Sequence, residues 1–267
     1  MLVNDLGGAV DGSGSSQMAA DTVVDEITGA GGEAVASYDS VSTPEGGQAI
    51  VDRALEEYGT VDVVISNAGI LRDRSLPNLT QEELSSVLDV HLRGGFHIAQ
   101  PAFRVMREKV YGRFVFASSN AGIFGNFGQT NYGAAKMGLV GLSNVLAIEG
   151  AKYSVKSNVI APLARTRMTE QLLGPMAEML LPEQVMPMVV YLASEQCEFT
   201  HEIFTAGGGR YGRIFIGTNE GWFAGSGVVP TVEEVAEHLD DIRDISTYVV
   251  PGSLNDEMML LAKLLAG

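Results

Sequence analysis

A tyrosine and a lysine placed four positions apart form a pair that could do acid and base chemistry. They are Tyr132 and Lys136, which on a helix become neighbours on one face. A free tyrosine has a pKa of about 10 and is a poor base near neutrality. A lysine ammonium, helped by the positive ring of a cofactor, would favour the phenolate and lower that pKa. The pair predicts a tyrosine base, but alone it is a weak signal.

Two further features stand where strands are predicted to end. Ser119 follows an apolar run and lies thirteen residues before Tyr132, so its hydroxyl could bind a substrate oxygen opposite the phenol. Asn67-Ala68-Gly69 follows the preceding apolar run, and small residues there let the backbone approach a nucleotide ribose. Such a triplet by itself is more often an ordinary turn. The combination is hard to attribute to chance.

The elements that must position these residues follow an alternating pattern. Runs such as Val61–Ile65 and Phe114–Ala117 are almost continuously apolar, as expected for parallel strands covered by helices on both faces. Helical patterns separate them, so the sequence predicts an α/β doubly wound parallel sheet of the Rossmann type. We expect a dinucleotide-binding catalytic domain over residues 1–205. Residues 206–267 are expected to form a C-terminal extension packed on the same domain.

Composition excludes several classes of protein. With 46% hydrophobic and 19% charged residues, the chain can bury an ordinary core and is not disordered or fibrous. The net charge of −16 opposes binding to nucleic acid or to an anionic membrane. Cys197 is the only cysteine, and no His/Cys cluster has zinc spacing. We therefore predict no metal, no nucleic-acid or membrane partner, and a cytoplasmic location.

These motifs, with Pro162 after Asn158–Ala161, resemble the marks of the short-chain dehydrogenase/reductase family. Within it, several stretches are similar to the (3R)-hydroxyacyl-CoA dehydrogenase domain of the multifunctional enzyme type 2 group, some of whose members are named 17β-hydroxysteroid dehydrogenase type 4. The stretches are Val3–Gly8, Tyr38–Val41, Asn67–Ser75, Val90–Gly94 and Gly122–Gln129. The similarity is high from residue 1 to about residue 205 and weaker beyond it.

The resemblance implies a role for each marked residue. Tyr132 would be the general acid/base, Lys136 would lower its pKa and hold the nicotinamide ribose, and Ser119 would orient the reacting oxygen. His91 stands where most of the family has an asparagine that supports a proton relay, so either a relay or a structural role is expected. The other contacts to the cofactor would come from Asn67, Ala68, Gly69 and Pro162.

Two carboxylates bear on the choice of cofactor. Asp5 is predicted at the end of a strand, where a carboxylate accepts hydrogen bonds from the adenosine ribose and repels a 2′-phosphate, which favours NAD over NADP. Asp39 resembles the family's aspartate that contacts the adenine amino group. Its alternative role is that of a residue in the first turn of a helix.

One mark of the family is missing. No Thr-Gly-x-x-x-Gly-x-Gly turn follows a strand, and Asp5 matches the end of the family's second strand. We therefore expect the chain to lack the first strand, glycine loop and first helix, which would leave the second and fourth strands without their shared neighbour. Two readings stay open: a complete NAD-dependent dehydrogenase that begins upstream, or a non-catalytic dimerising remnant that cannot hold NAD.

The resemblance also implies a substrate and an assembly. The reaction would interconvert (3R)-3-hydroxyacyl-CoA and 3-oxoacyl-CoA, with a hydroxysteroid as the alternative. An oxoacyl-carrier-protein reductase is disfavoured because such enzymes commonly prefer NADPH. The predicted long helices Gln81–Val110 and Asn131–Tyr153 resemble those that pair in family homodimers, so a homodimer or homotetramer is expected. A basic rim for the CoA phosphates is predicted from Arg72, Arg74, Arg93, Arg165 and Arg167.

Overall fold

The structure is a computed structural model that describes residues 1–266, except for the side chains of residues 171 and 172. Its strands are β1 (Leu2–Asn4), β2 (Val35–Ser37), β3 (Val63–Ser66), β4 (Gly112–Ala117), β5 (Val155–Pro162), β6 (Ile203–Gly207) and β7 (Arg210–Ile214). Its helices are α1 (Met18–Gly29), α2 (Pro44–Tyr58), α3 (Gln81–Leu88), α4 (Gly94–Lys109), α5 (Asn120–Phe124), α6 (Thr130–Gly150), α7 (Glu170–Leu173), α8 (Met186–Ala193), α9 (Val232–Glu237), α10 (Leu239–Arg243) and α11 (Leu254–Ala266).

The chain divides into two compact units, Met1–Arg213 and Ile214–Gly267. The first unit contains every residue predicted to act in the site. In the second unit, Thr231 caps α9 through a capping box with Glu234, as the sequence predicts. The packing of residues 206–267 on the catalytic domain stays a prediction.

A five-stranded sheet in the order β3-β4-β5-β6-β7 forms the centre of the first unit. The strands from β3 to β6 pair in parallel, and all six residues of β4 are buried. Helices α4 and α6 pack against β4, and α6 also packs against β5. The predicted parallel α/β sheet is therefore confirmed, because near-continuous apolar strands are covered by helices.

The stretch Gln81–Val110, predicted as one long helix, forms three helical segments. Helix α3 ends at Leu88, a π-helical turn covers Asp89–Arg93, and α4 begins at Gly94. A π turn inside a helix is often associated with a functional site. Here it carries His91 to the predicted site.

Strands β1 and β2 form a separate two-stranded parallel sheet. Within residues 1–266, β1 pairs only with β2 and β3 only with β4. A cavity of about 1100 Å³ is lined by residues from both β1 and β3. The expectation that two strands lack a shared neighbour is confirmed, and it explains why Val63 and Ile65 of β3 are 38% and 49% exposed.

This difference between β3 and β4 predicts unequal costs for one chemical change. Val63→Thr should lower the free energy of unfolding by about 0.5 kcal/mol or less, because its side chain is exposed. Val115→Thr should cost about 1–3 kcal/mol, because Val115 is fully buried and the hydroxyl would replace a packed methyl group. Urea unfolding of both variants checks the prediction. Equal losses would contradict the open edge of β3.

Candidate functional site

Ser119 lies at the carboxyl end of β4, where the chain turns into α5. Its backbone is extended, and its hydroxyl accepts a hydrogen bond from the Ala121 N–H at 3.1 Å. The preceding Ser118 is buried and donates from Oγ to the Lys136 carbonyl at 2.8 Å. This bond ties the end of β4 to α6 and fixes the distance between Ser119 and the residues on that helix.

Helix α6 presents Tyr132 and Lys136 to the same place. The Lys136 side chain is buried, and its Nζ donates to the Ala117 carbonyl at 2.6 Å. The same nitrogen lies 5.6 Å from the centroid of the Tyr132 ring. The structure therefore brings the predicted serine, tyrosine and lysine together at the carboxyl end of the central strand, where ligands bind in open parallel sheets.

Without a bound cofactor, the surroundings of Tyr132 raise its pKa. Burial raises it, the neighbouring Ser119 hydroxyl lowers it, and the Asp73 carboxylate raises it further. Burial also lowers the pKa of Lys136 to about 7. Both shifts have the same cause, since a low-dielectric surrounding disfavours charged forms. The chain's own groups keep the tyrosine protonated, so a phenolate needs a further positive charge nearby.

His91 is 2% exposed and lies edge-on to the Tyr132 ring, with centroids 5.2 Å apart. Its Nε2 is 3.0 Å from the Ile70 N–H nitrogen and 2.8 Å from the Ile70 carbonyl oxygen. Burial and then the Lys136 charge lower the pKa of His91 to about 3, so the ring is neutral near pH 7. These contacts support the structural role, and the proton relay stays a prediction.

The His91 ring requires a glycine at position 69, and the sequence did not reveal this contact. A Cβ added to Gly69 would lie 2.4 Å from Cε1 of His91, and real Cβ atoms do not approach that closely. The ring cannot retreat easily because Ile70 holds its Nε2. The absent side chain therefore makes room for His91, in addition to any nucleotide.

We expect Gly69→Ala to destabilise the protein by about 1–3 kcal/mol, because the added methyl group overpacks a buried site. Gly141→Ala is the matched control, since a Cβ there meets nothing within 4 Å and alanine favours the helix by up to about 1 kcal/mol. Thermal unfolding of the two variants measures the difference. A Gly69→Ala protein as stable as the control would disprove the close contact.

The other predicted cofactor residues lie around the cavity between β1 and β3. Asp5 follows β1 and accepts from the Gly7 N–H at 2.6 Å, and Asp39 follows β2 and accepts from the Ser37 hydroxyl at 3.1 Å. Both carboxylates line the cavity together with Asn67, Ala68 and Gly69. Residues outside this lining are Ser119, Tyr132, Lys136 and Pro162, the last being the final residue of β5.

These residues fit the parts of a nicotinamide dinucleotide. Exposed Asp5 and Asp39 can accept hydrogen bonds from ribose and adenine donors. At the other end, Tyr132 and Lys136 would hold the nicotinamide ribose.

Three of the five arginines of the predicted basic rim form ion pairs with acidic side chains. Arg72 pairs with Glu82 at 2.9 Å, and Arg74 pairs with Glu83 at 3.1 Å. Arg93 pairs with Asp89 at 2.6 Å. These three arginines can join the rim only in competition with acidic side chains one helical turn away or in α3, so the basic rim stays a prediction. Arg165 and Arg167 are the exposed members left.

The profile of the family described as short chain dehydrogenase matches residues 5–174. This chain belongs to the short-chain dehydrogenase family. A short-chain type dehydrogenase/reductase of Mycobacterium tuberculosis is 49% identical over 253 residues, which are 94% of this chain and 88% of the relative. A hydroxyacyl-CoA dehydrogenase of the same organism is 38% identical over 212 residues, covering 73% of this chain and 64% of that protein.

A solved structure extends this agreement to the fold. The full-length peroxisomal multifunctional enzyme type 2 of Drosophila melanogaster superposes on this short-chain dehydrogenase with a TM-score of 0.80 at 38% identity. The alignment covers 93% of this chain and 44% of the solved one. Peroxisomal multifunctional relatives are matched over 24% to 57% of their length.

The family and the dehydrogenase relatives make this chain an enzyme of the oxidoreductase class with a small-molecule substrate and a nicotinamide cofactor. In the part of the dehydrogenase that the structure describes, no group of three or more His, Cys, Asp or Glu side chains could hold a metal ion. Of the described helices, none is long and apolar enough to cross a membrane.

Proposed function

We propose that this dehydrogenase oxidises (3R)-3-hydroxyacyl-CoA thioesters to 3-oxoacyl-CoA with NAD. The observation that carries the proposal is the convergence of Ser119, Tyr132 and Lys136 at the carboxyl end of β4. The substrate class is supported by the relative named as a hydroxyacyl-CoA dehydrogenase and by the multifunctional enzyme with the same fold.

The site residues act on the alcohol in a defined order. Ser119 and Tyr132 bind the hydroxyl oxygen, and Tyr132 then removes the hydroxyl proton as general base. The Lys136 ammonium stabilises the phenolate from the same helix face and binds the cofactor ribose. The nicotinamide ring, when bound, accepts the hydride from the alcohol carbon.

The preference for NAD rests on Asp5. Its carboxylate lies at the carboxyl end of β1 in the cavity wall, and a negative group there repels a 2′-phosphate. The test compares NAD with NADP as oxidants of (3R)- and (3S)-3-hydroxybutyryl-CoA and of a free hydroxysteroid. The proposal expects turnover of the (3R) thioester with NAD. Faster oxidation of the steroid would contradict the proposed substrate class, and a preference for NADP would contradict the proposed cofactor.

The unpaired edges of β1 and β3 favour a second candidate function, a dimerising remnant that holds no NAD. Ligand binding to the folded state alone raises the melting temperature, so an NAD titration followed by thermal unfolding separates the two. A rise with NAD that NADP does not produce supports the dehydrogenase. No rise at millimolar NAD would support the remnant.

We also propose a homodimer or homotetramer built on α4 and α6. Phe96 of α4 is 50% exposed, and Val145 and Ile148 of α6 are 52% and 51% exposed, which is unusual for large apolar residues on two adjacent helices. Light scattering of the purified chain measures the assembly. A monomer at micromolar concentration would refute it. The cytoplasmic location stays a prediction.

A further inference from the structure

A half-buried acid, Asp73, lies in the loop that follows β3. Its Oδ2 accepts a hydrogen bond from Nε2 of Gln129 at 2.7 Å. Its Oδ1 is buried and has no hydrogen-bond partner among the described residues. A buried carboxylate oxygen without a donor costs free energy, which indicates that Asp73 has a role other than stabilising the fold.

The loop around Asp73 is joined to the start of the helix that carries the tyrosine. Nδ2 of Asn131 donates to the Arg72 carbonyl at 2.9 Å, and Arg74 forms a parallel bridge with Gln129. The Asn131 Oδ1 also accepts from the Tyr132 N–H at 2.8 Å. Three consecutive loop residues thus contact the residues directly before Tyr132.

The side chain of Gln129 explains part of this arrangement. Gln129 is the N-cap residue of α6, yet its side chain does not cap the helix. It is 6% exposed and donates to Asp73, while its own Oε1 accepts from the Asn126 amide at 2.9 Å. Asp73 therefore anchors the first turn of α6 through a buried amide.

The carboxylate charge of Asp73 is not neutralised by a neighbouring cation. Arg72 and Arg74, which flank it in sequence, are paired with Glu82 and Glu83. The ion pairs of the described residues include none with Asp73. An uncompensated charge in a partly buried place acts on nearby titrating groups more strongly than it would in water.

Two ionisable groups, Lys136 and His91, lie against the Tyr132 ring, and a third, Asp73, acts on it by its charge. Asp73 acts from the loop after β3 and raises the pKa of Tyr132. Lys136 acts from α6, and its own pKa is lowered by burial. His91 acts from the π turn as a neutral ring. Asp73 is thus the acidic member of this group.

We propose that Asp73 is a positioning residue, which anchors the first turn of α6 through Gln129 and whose charge sets the pH range in which Tyr132 gives up its proton. In the absence of an added positive charge, burial and this carboxylate together keep the phenol protonated. Only the kinetic consequence rests on the proposed function, because the ionisation of Tyr132 can be observed without turnover.

The direct test is an NMR titration of the full chain labelled with ¹³Cζ-tyrosine, with the Tyr132 signal assigned from Tyr132→Phe. Asp73→Asn removes the charge and keeps an oxygen that can accept from Gln129. We expect the pKa of Tyr132 to fall by at least about 0.5 in this variant. Glu56→Gln is the matched control, since its carboxylate on α2 is 70% exposed, and it should leave the signal unchanged.

The kinetic test is the pH profile of kcat for alcohol oxidation. Asp73→Asn should move its acid limb, where the general base Tyr132 becomes protonated, to lower pH, whereas a merely structural role would lower kcat at every pH without a shift. Equal titrations of Asp73→Asn and Glu56→Gln would overturn the inference, whether or not the chain turns over a substrate.

A second measurement covers the case in which Asp73→Asn does not fold. In the wild-type chain, the Tyr132 signal should show a small step in the acid range as Asp73 ionises, above the ordinary pH range of an aspartate because burial raises the pKa of Asp73. A Tyr132 signal without that step would equally overturn the inference.

Discussion

Tyr132→Phe lowers kcat for alcohol oxidation by about 10²- to 10⁴-fold, because it removes the group that accepts the substrate proton. The fold should persist, since phenylalanine keeps the ring that lies edge-on to His91 at 5.2 Å. The lost hydroxyl also releases its neighbour Ser119, which can turn to water. The effect should therefore fall on kcat, with little change in melting temperature.

Steady-state kinetics and thermal unfolding of the same preparation measure the two effects. Tyr153→Phe is the control, because Tyr153 lies in the short helical turn after α6, away from Ser119. It should retain wild-type turnover. A Tyr132→Phe enzyme with comparable turnover would show that Tyr132 is not the base.

Lys136→Met should abolish most turnover and, in the same protein, raise stability. The buried ammonium is needed for the phenolate and the ribose, so kcat should fall by about 10²-fold or more. Methionine has a similar length and no charge to desolvate. Its cost is the lost hydrogen bond to the Ala117 carbonyl, about 1 kcal/mol, which is smaller than the penalty of burying the ammonium.

The stability gain depends on pH because burial lowers the pKa of Lys136 from 10.5 to about 7. The folded chain binds this proton less tightly than the unfolded chain, so the penalty is complete below pH 7 and disappears as the pH rises toward 10.5. At about 1.4 kcal/mol for each pH unit, it is on the order of 4–5 kcal/mol. Lys136→Met should therefore melt roughly 5–10 °C above wild type at pH 6.

The difference in melting temperature between Lys136→Met and wild type should shrink steadily from pH 7 to pH 10. Scanning calorimetry across that range is the measurement, and Lys152→Met, at an exposed lysine just beyond α6, is the control that should show no such trend. A constant difference would mean that folding does not lower the pKa of Lys136. Turnover of Lys136→Met equal to that of wild type would show that Lys136 does not act in the site.

The sequence alone was sufficient for the family and the parallel sheet, and it predicts which residues form the site. Apolar runs such as Phe114–Ala117 predict buried parallel strands because their period leaves no solvent face. The spacing of Tyr132 and Lys136 predicts their proximity because a helix repeats every 3.6 residues. These inferences are local, so they need no knowledge of how distant segments meet.

The expected gap beside β1 and β3 also followed from the sequence, through the position of Asp5 in the family pattern. The exposure of Val63 and Ile65 could not be predicted from the sequence. It depends on which neighbour each strand has, and an apolar run looks the same whether its strand lies in the middle of a sheet or at an open edge.

Charge and close packing were decided by the tertiary structure. The sequence predicts that Lys136 and a bound cofactor lower the pKa of Tyr132, but it does not indicate that burial and Asp73 raise that pKa in the chain alone, because desolvation depends on how much of the fold surrounds a group. Likewise, Gly69 faces His91 and Asp73 meets Gln129 across 22 and 56 positions of the chain. Contacts at such separations leave no period or spacing in a single sequence, so only the folded chain determines them.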